Sequence, residues 1–425
     1  MIRKLYVDNF KSLNNFEIAL NPATFIIGAN ASGKSTVLNA IAFLKYCCIE
    51  SANAYLEKHQ LTVSDICSKF SKKRTISFAV VFDFNDKEVL WNIEFTANKT
   101  GNSLVLSSEK VSKAPYGGAN ASGLQGARGK ETLLYYSSDR IMGNGAVNDS
   151  SGHSLARNTK SYRFNELARV REEIIRGEYN HSHLSIISKD SCREYPELYA
   201  IKEFFDATES FDVLSPKDMR ASAHGYTNSI GRYGEKLATF IKGLDHEERR
   251  ELVNTMKTIF PDIKDIKSVV RGRPGWAYLE VDENYSSQNV SISSRNVSDG
   301  IIRLIALFSM KYHKNNGGVM LLDEIENGIN CEIMERLLIS FQENGLRNGQ
   351  QFIATTHNTV LLDYVDPDNI RYLLRDKQGN AIAYNPFSHS LLKEKLDYMY
   401  PGEIILNTPN EELDAFVAYN KEDNL

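Results

Sequence analysis

The residues with the clearest chemical meaning form a glycine-rich loop, GANASGKST, at positions 28–36. The spacing G-x-x-x-x-G-K-[ST] places glycine at Gly28 and Gly33, which lets the backbone turn its N–H groups towards phosphate oxygens. An apolar strand at 24–27 precedes the loop, and apolar residues at helical spacing follow it. The phosphates would therefore lie at the N-terminus of a helix. The alternative is an ordinary glycine turn between a strand and a helix.

Two side chains of this loop are suited to nucleotide chemistry. Lys34 would reach the β- and γ-phosphates, and the hydroxyl of Ser35 would ligate Mg²⁺. The predicted nucleotide contacts come from the following residues: Gly28, Asn30, Ala31, Ser32, Gly33, Lys34, Ser35 and Thr36.

A second segment, VMLLDE at 319–324, reads as a buried strand that ends in two carboxylates. Acids at the carboxyl end of a parallel strand lie where open α/β sheets bind their ligands. Asp323 would hold the Mg²⁺ shell. Glu324, one position further on, would polarise an attacking water as a general base. The alternative is an acidic pair that caps a helix.

Two further segments complete the set. His357 ends an apolar stretch that begins at Gln351, and its imidazole could donate to a γ-phosphate, although a lone histidine is more often structural. Ser298, Asp299 and Gly300 precede a helix that begins at Ile301. Their hydroxyl and N–H groups suit a phosphate at a helix N-terminus, and the same residues also suit a simple helix cap.

The order of these segments resembles that of soluble ABC-type ATPases related to SMC proteins and to the OLD (overcoming lysogenization defect) family. It is most similar to their stand-alone "AAA family ATPase" relatives in prokaryotic defence systems. The resemblance covers both ends of the chain and fades in the middle. Besides the segments above, it is carried by the N-F-K-S element at 9–12, the signature helix at 301–306 and the sequence E-N-G-I at 326–329.

The resemblance implies an α/β fold, an ABC-type P-loop ATPase head in which a mixed sheet is joined by an antiparallel β lobe, with a largely helical insertion. It implies ATP and Mg²⁺ as cofactors and a homodimer or higher homo-oligomer. In that dimer, Ser298, Asp299 and Gly300 of one copy would close on ATP held by the other. The chain departs from the family at Asp299, where transporters have glycine, and at Asn330-Cys331, where many relatives have His-Pro.

The sequence predicts three successive segments. Residues 1–138 would form the N-terminal half of the head, with strands at 75–84, 89–96 and 103–111. A second glycine-rich stretch, predicted to be a mobile loop, follows at 117–129, and a further strand at 132–136. Residues 139–250 would form a mostly helical insertion that begins with a polar stretch up to about 160. Residues 251–425 would form the C-terminal half, with the signature loop, the acidic pair, the histidine and a short acidic tail.

Composition limits the class of protein. The chain has 425 residues, of which 42% are hydrophobic and 24% charged, and a formal net charge of −4, so no overall attraction to nucleic acid is expected. Five cysteines without a C-x-x-C pattern indicate a reducing compartment and no structural zinc. No apolar run reaches the length of a membrane span and no cleavable signal is visible. These features favour a cytoplasmic protein and disfavour a transporter motor.

Three functions are compatible with the sequence. The stretch beyond His357 is too short for the nuclease domain that OLD-type proteins carry there, so an ATPase that controls a separately encoded nuclease or toxin in antiphage defence is the leading hypothesis. The alternative is an SMC-like DNA-binding ATPase in repair or recombination, supported by the basic cluster Lys69, Lys72, Lys73 and Arg74 and by Arg271 and Arg273. An ATP-gated scaffold with negligible turnover is the third.

Overall fold

The computed structural model describes residues 1–84, 87–113, 131–137, 179–212, 214–270, 274–285, 288–313, 317–409 and 411–413. Three features of the sequence analysis lie outside the described residues: the second glycine-rich stretch at 117–129, the polar stretch up to about 160, and the arginines Arg271 and Arg273.

The described residues contain sixteen strands. In chain order, β1 to β16 are Ile2–Asp8, Phe16–Ala19, Ala23–Gly28, Thr75–Phe84, Lys87–Ala97, Leu104–Lys113, Glu131–Ser137, Glu209–Phe211, Ala223–His224, Ile263–Val270, Trp276–Tyr285, Gln288–Ser293, Val319–Leu322, Gln351–Thr355, Ile370–Arg375 and Ala381–Tyr384.

The same residues contain eleven α-helices together with short 3-10 helices. In chain order, α1 to α11 are Lys34–Ile49, Ala52–Lys58, Val63–Ile66, Pro196–Asp206, Pro216–Met219, Leu237–Gly243, His246–Ile259, Asp299–Ser309, Cys331–Asn348, Ser390–Lys395 and Pro401–Asn407. The 3-10 helices are His183–Ile186, Lys189–Arg193, Met310–Tyr312, Thr359–Tyr364, Pro367–Asn369 and Pro386–Ser388.

The chain divides into two compact units, and each is built from separate stretches of sequence. Unit 1 contains the described residues of Met1–Pro22, Gly28–Thr208 and Arg371–Asn385. Unit 2 contains the described residues of Ala23–Ile27, Glu209–Ile370 and Pro386–Leu425. The sequence-based division of the chain into segments 1–138, 139–250 and 251–425 stays a prediction.

Unit 1 is organised around a six-stranded antiparallel sheet with the order β2-β1-β4-β5-β6-β7. From Trp91 to Thr96, β5 alternates buried and half-buried residues, whereas the central strand β4 is buried over most of its length. The predicted antiparallel lobe is thus present, and its three long strands lie within two residues of the predicted bounds. The hairpin of β15 and β16 belongs to the same unit.

The core of unit 1 forms where α1 packs on aromatic residues of the sheet and of α2. The ring of Phe43 lies 5.5 Å from Phe78 and 5.3 Å from Tyr55, measured between ring centroids. Cys47 and Cys48 on the same helix are fully buried. Burial raises the pKa of both thiols well above the usual value of 9.0.

Unit 2 contains four parallel strands in the order β3-β14-β13-β8. β13 and β14 are buried along their whole length and each has a strand on both sides, as expected for central parallel strands. A second, antiparallel sheet is formed by β10, β11 and β12, with β9 paired to β11. Helices and mixed sheets together confirm the predicted α/β class.

The described part of the predicted insertion contains helices between His183 and α7, and its mostly helical character over 139–250 stays a prediction. It also contains β8 and β9, which are too short to show a strand pattern in the sequence. Among the described residues, no helix combines the length and apolarity that crossing a membrane would require.

Candidate functional site

The glycine-rich loop joins β3 directly to α1, the strand–loop–helix context that the sequence predicts. Gly28 allows close packing in unit 1, because a Cβ atom there would lie 2.1 Å from the carbonyl oxygen of Leu373. Gly33 has φ 115 and caps α1 without a side chain, and no acidic residue occupies the first turn of the helix. The helix N-terminus therefore keeps its positive end open to an anion.

The side chains of the loop divide into exposed and buried sets. Asn30, Ala31 and Ser35 are exposed, and Thr36 is half-buried. The Nζ of Lys34 donates hydrogen bonds to the carbonyls of Gly28 (2.8 Å) and Ala29 (3.0 Å), so the ammonium group is held against the loop.

Two hydroxyl groups at this loop are buried. The Oγ atoms of Ser32 and Ser12 have no hydrogen-bond partner among the described residues. Ser12 belongs to the N-F-K-S element, and its Oγ would lie 3.0 Å from a Cβ atom placed on Gly33. Buried hydroxyl groups are normally hydrogen-bonded, so this pair is consistent with a ligand that supplies polar atoms.

The acidic pair directly follows β13 in unit 2. The Oγ1 of Thr355, at the end of β14, donates to Oδ1 of Asp323 (2.5 Å) and accepts from the backbone N–H of Glu324 (2.9 Å). Glu324 has φ 50, a left-handed conformation that costs a non-glycine residue about 1–2 kcal/mol. A strained residue held by a buried threonine is typical of a functional site. The acids do not cap a helix, since α9 begins only at Cys331.

His357 lies beside the acidic pair. Its Nε2 is 3.5 Å from Oε1 of Glu324, and its backbone N–H donates to Oε1 of Glu326. The side chains of His357 and Glu324 are 37% and 40% exposed, respectively. The imidazole can therefore contact the carboxylate and still be reached from solvent.

The strand register brings the acidic pair and His357 together within unit 2. Leu322 pairs with Ala354, and Thr355 pairs with Ile26, so the carboxyl ends of β13, β14 and β3 lie at one edge of the parallel strands. The chain leaves β3 at Gly28, where the glycine-rich loop begins. Ligands of open α/β sheets bind at this edge.

The signature segment forms the N-terminus of α8. Ser298 is the N-cap residue, and its Oγ accepts a hydrogen bond from the N–H of Ile301 (3.3 Å). Ser298 and Asp299 are exposed, and Gly300 is half-buried. The capping interpretation is therefore correct, and it leaves the serine accessible to a second molecule.

Two arginines, whose contacts the sequence does not predict, hold this segment in unit 2. Arg220 donates through Nη2 to Oδ1 of Asp299 (2.5 Å) and to the carbonyl of Val297 (2.6 Å). Arg303 donates to the carbonyls of Leu214 (3.1 Å) and Asn327 (2.9 Å). The pairs are far apart in sequence, so only the tertiary structure reveals them.

Arg303 and the acidic pair line one small cavity in unit 2. The cavity is lined by Asp212, Leu214, Arg303, Leu307, Leu322, Asp323, Glu324, Ile325 and Asn327.

The basic cluster is partly neutralised. The Nζ of Lys73 pairs with Oδ2 of the buried Asp8 at 2.5 Å, and the Nζ of Lys69 donates to the carbonyl of Ser64. Lys72 and Arg74 are exposed.

The AAA ATPase domain family matches residues 1–362. No curated protein sequence matches.

Three solved structures are similar to the chain. A crystal structure of the SmcHead bound to the C-winged helix domain of ScpA has 16% identity and a TM-score of 0.46, covering 90% of this chain and 96% of that one. The SMC head domain from Thermotoga maritima has 14% identity and a TM-score of 0.43, with coverage of 90% and 98%. The Smc head domain with an extended coiled coil, bound to the C-terminal domain of ScpA derived from Pyrococcus furiosus, has 17% identity and a TM-score of 0.44, with coverage of 93% and 99%.

Proposed function

We propose that this chain, which belongs to the AAA ATPase domain family, binds ATP with Mg²⁺ and hydrolyses it. The observation that carries the proposal is the shared edge of β3, β14 and β13. At that edge β3 continues into the glycine-rich loop, β14 ends next to His357, and β13 ends at the acidic pair. Phosphate-binding groups and carboxylates thus follow neighbouring parallel strands.

The residues of the site fit a magnesium ion. Mg²⁺ prefers oxygen ligands and keeps several waters and phosphate oxygens, so one hydroxyl and one carboxylate suffice. Ser35 and Asp323 would supply these, and the Thr355 hydroxyl would orient the carboxylate. When bound, the metal would neutralise charge on the phosphates. Lys34 and the N–H groups at the start of α1 would bind the same phosphates.

Glu324 and His357 would perform the chemistry on the attacking water. The carboxylate of Glu324 would accept the proton of that water as general base. His357 would donate to the γ-phosphate while its contact with Glu324 positions the carboxylate. The left-handed backbone of Glu324 aims its side chain differently from that of Asp323, which supports separate roles for the two acids.

A second copy of the chain would complete the site. Ser298 and Gly300, at the open N-terminus of α8, would contact the γ-phosphate of ATP bound to the partner copy. Support comes from the exposure of Ser298 and Asp299 and from the anchoring of this segment by Arg220. ATP binding would then drive dimerisation, and hydrolysis would release it.

Substitution of the proposed base tests the function. Glu324→Gln should retain ATP binding and lower turnover about 10²- to 10⁴-fold, because only the water-activating group is lost. The matched control is Glu335→Gln, an exposed glutamate on α9, which should keep wild-type turnover. Lys34→Ala should abolish ATP binding. Wild-type turnover in Glu324→Gln would contradict the assignment.

The biological role that we propose is control of a separately encoded effector, a nuclease or toxin, in antiphage defence. It is supported by the resemblance to stand-alone ATPases of defence systems together with the predicted phosphate-binding, acidic and signature residues. The test is co-expression with the adjacent gene product, followed by purification with ATP in the Glu324→Gln background. An ATP-dependent complex with a nuclease or toxin is expected. A chain that cleaves DNA alone would contradict this role.

An SMC-like DNA-binding ATPase is the second candidate, and the exposed Lys72 and Arg74 favour it. Binding through phosphates should weaken steeply between about 50 and 200 mM salt, because each contact releases counterions. The measurement is a titration of duplex DNA at several salt concentrations, with Lys72→Glu/Arg74→Glu as the matched variant. A flat salt response would exclude this candidate.

A further inference from the structure

Phe70 is an exposed aromatic side chain in unit 1. Its relative exposure is 52%, and among the described residues of unit 1 it is the one large apolar side chain exposed to this degree. Single exposed apolar residues are common, so the position of Phe70 decides its meaning.

The backbone around Phe70 is fixed to the start of the chain. The N–H of Phe70 donates to Oγ of Ser68 (3.2 Å), and the same oxygen accepts from Nδ2 of Asn14 (2.6 Å). The N–H of Ser68 donates to Oδ1 of Asn9 (3.2 Å). Asn9 and Asn14 flank Ser12, whose buried hydroxyl lies at the glycine-rich loop. The aromatic ring is therefore presented from a structured turn.

Arg375 connects the ring to the glycine-rich loop. Its guanidinium carbon lies 5.8 Å from the centroid of the Phe70 ring, within the range of a cation–π contact. Its Nε donates to the carbonyl of Ala31 at 2.6 Å. The ring therefore lies within about 10 Å of the Ala31 carbonyl, given the short bond between Nε and the guanidinium carbon.

Gly379 supports the ring from the β15–β16 hairpin. A Cβ atom on Gly379 would lie 2.8 Å from Cε1 of Phe70, so the ring packs on the glycine backbone and any side chain there would displace it. Gly379 also accepts a hydrogen bond from Arg375 through its carbonyl (3.4 Å). The exposed part of the ring is thus held at a defined place beside the loop.

A nucleotide whose phosphates occupy the loop must place its base outside the loop and within reach of it. A fixed, partly exposed aromatic ring is a stacking platform for a base, because every base presents a π-face. We propose that Phe70 stacks on the base of the nucleotide bound by residues 28–36, with Arg375 holding the ring in place. This inference rests on the proposed function and adds the subsite for the base. Stacking tolerates different bases, so it predicts selection for nucleotides over bare triphosphate.

The test compares MgATP with magnesium tripolyphosphate by isothermal titration calorimetry. Phe70→Ala should bind ATP about 5- to 100-fold more weakly, because one base stack is lost, and should bind tripolyphosphate like the wild type. Phe70→Tyr should restore ATP binding. Tyr226→Ala, which removes an exposed aromatic ring of unit 2, is the matched control and should change neither ligand.

A spectroscopic measurement gives an independent readout. Phe70→Trp should show a fluorescence change with ATP and none with tripolyphosphate, after subtraction of the wild-type signal from Trp91 and Trp276. Equal loss of both ligands in Phe70→Ala would mean that Phe70 only supports the loop, and unchanged binding of both would also overturn the inference. If the wild type binds neither ligand, the proposed ATPase function fails as well.

Discussion

At the scale of single residues, Thr355 determines the geometry of the acidic pair. Its hydroxyl donates to Asp323 and accepts from the backbone of Glu324, and the residue is fully buried. One side chain thereby orients the proposed metal ligand and stabilises the left-handed backbone of the proposed base. The pattern of acids in the sequence does not reveal this role. The sequence signal that could have found this role is that Thr355 is a polar residue at the end of the buried strand before His357.

We predict that Thr355→Val lowers ATP turnover at least about tenfold, because the carboxylate of Asp323 loses its donor and the Glu324 N–H loses its acceptor. Loss of a buried partner should also lower the free energy of unfolding by about 1–3 kcal/mol. Turnover assays and urea titration measure the two effects. Thr355→Ser keeps the hydroxyl and serves as control. Turnover at the wild-type rate in the valine variant would show that the hydroxyl is dispensable.

At the scale of elements, the N-terminus of α8 contains a negative charge where a phosphate is expected. Asp299 stabilises the first turn of the helix through the helix dipole, but its carboxylate would repel an arriving γ-phosphate. Arg220, the residue directly after α5, forms an ion pair with Asp299 and neutralises its charge. The departure from glycine at position 299 is therefore accompanied by a compensating cation.

We predict that Arg220→Met weakens ATP-dependent dimerisation, because the unpaired Asp299 then repels the phosphate. Asp299→Asn in the same chain should restore it, since the repelling charge is gone. Stability should change by about 1 kcal/mol or less, as the pair is partly exposed. Analytical ultracentrifugation with ATP in the Glu324→Gln background measures the effect. If the double variant dimerises no better than Arg220→Met, charge repulsion is not the cause.

The elements also show how far the sequence predicts the structure. Strands β4, β5 and β6 are long enough for their alternation to be read, and a helix follows a glycine-rich loop by local rules alone. β8 has only three residues and joins the sheet through its pairing with β13, a contact that local pattern cannot show. Arg220 and Arg303 escape prediction for the same reason, because their partners are distant in sequence.

At the scale of the whole molecule, the buried thiols of α1 report on global opening. Burial holds Cys47 and Cys48 in the neutral form. Their raised pKa in the folded chain contributes stability that is complete below the unfolded value of about 9.0 and is lost as the pH rises above it.

We predict that iodoacetamide at pH 8 modifies Cys47 and Cys48 at least about 1,000-fold more slowly in the folded chain than in urea, because reaction requires unfolding. Half-buried Cys67 and Cys192 should react first. The proposed binding of ATP to the folded state should slow the reaction further. Peptide mass spectrometry over time gives the rates. Rapid labelling of Cys47 without loss of structure would contradict a buried α1.

The division of each unit into separate chain segments has a consequence for synthesis on the ribosome. Gly28 contacts Leu373, and the β15–β16 hairpin that supplies this contact is translated only near the end of the chain. The nascent polypeptide must therefore carry an unfinished glycine-rich loop at 28–36 through most of its elongation. Premature termination before the hairpin should yield a product that binds no nucleotide and depends on chaperones.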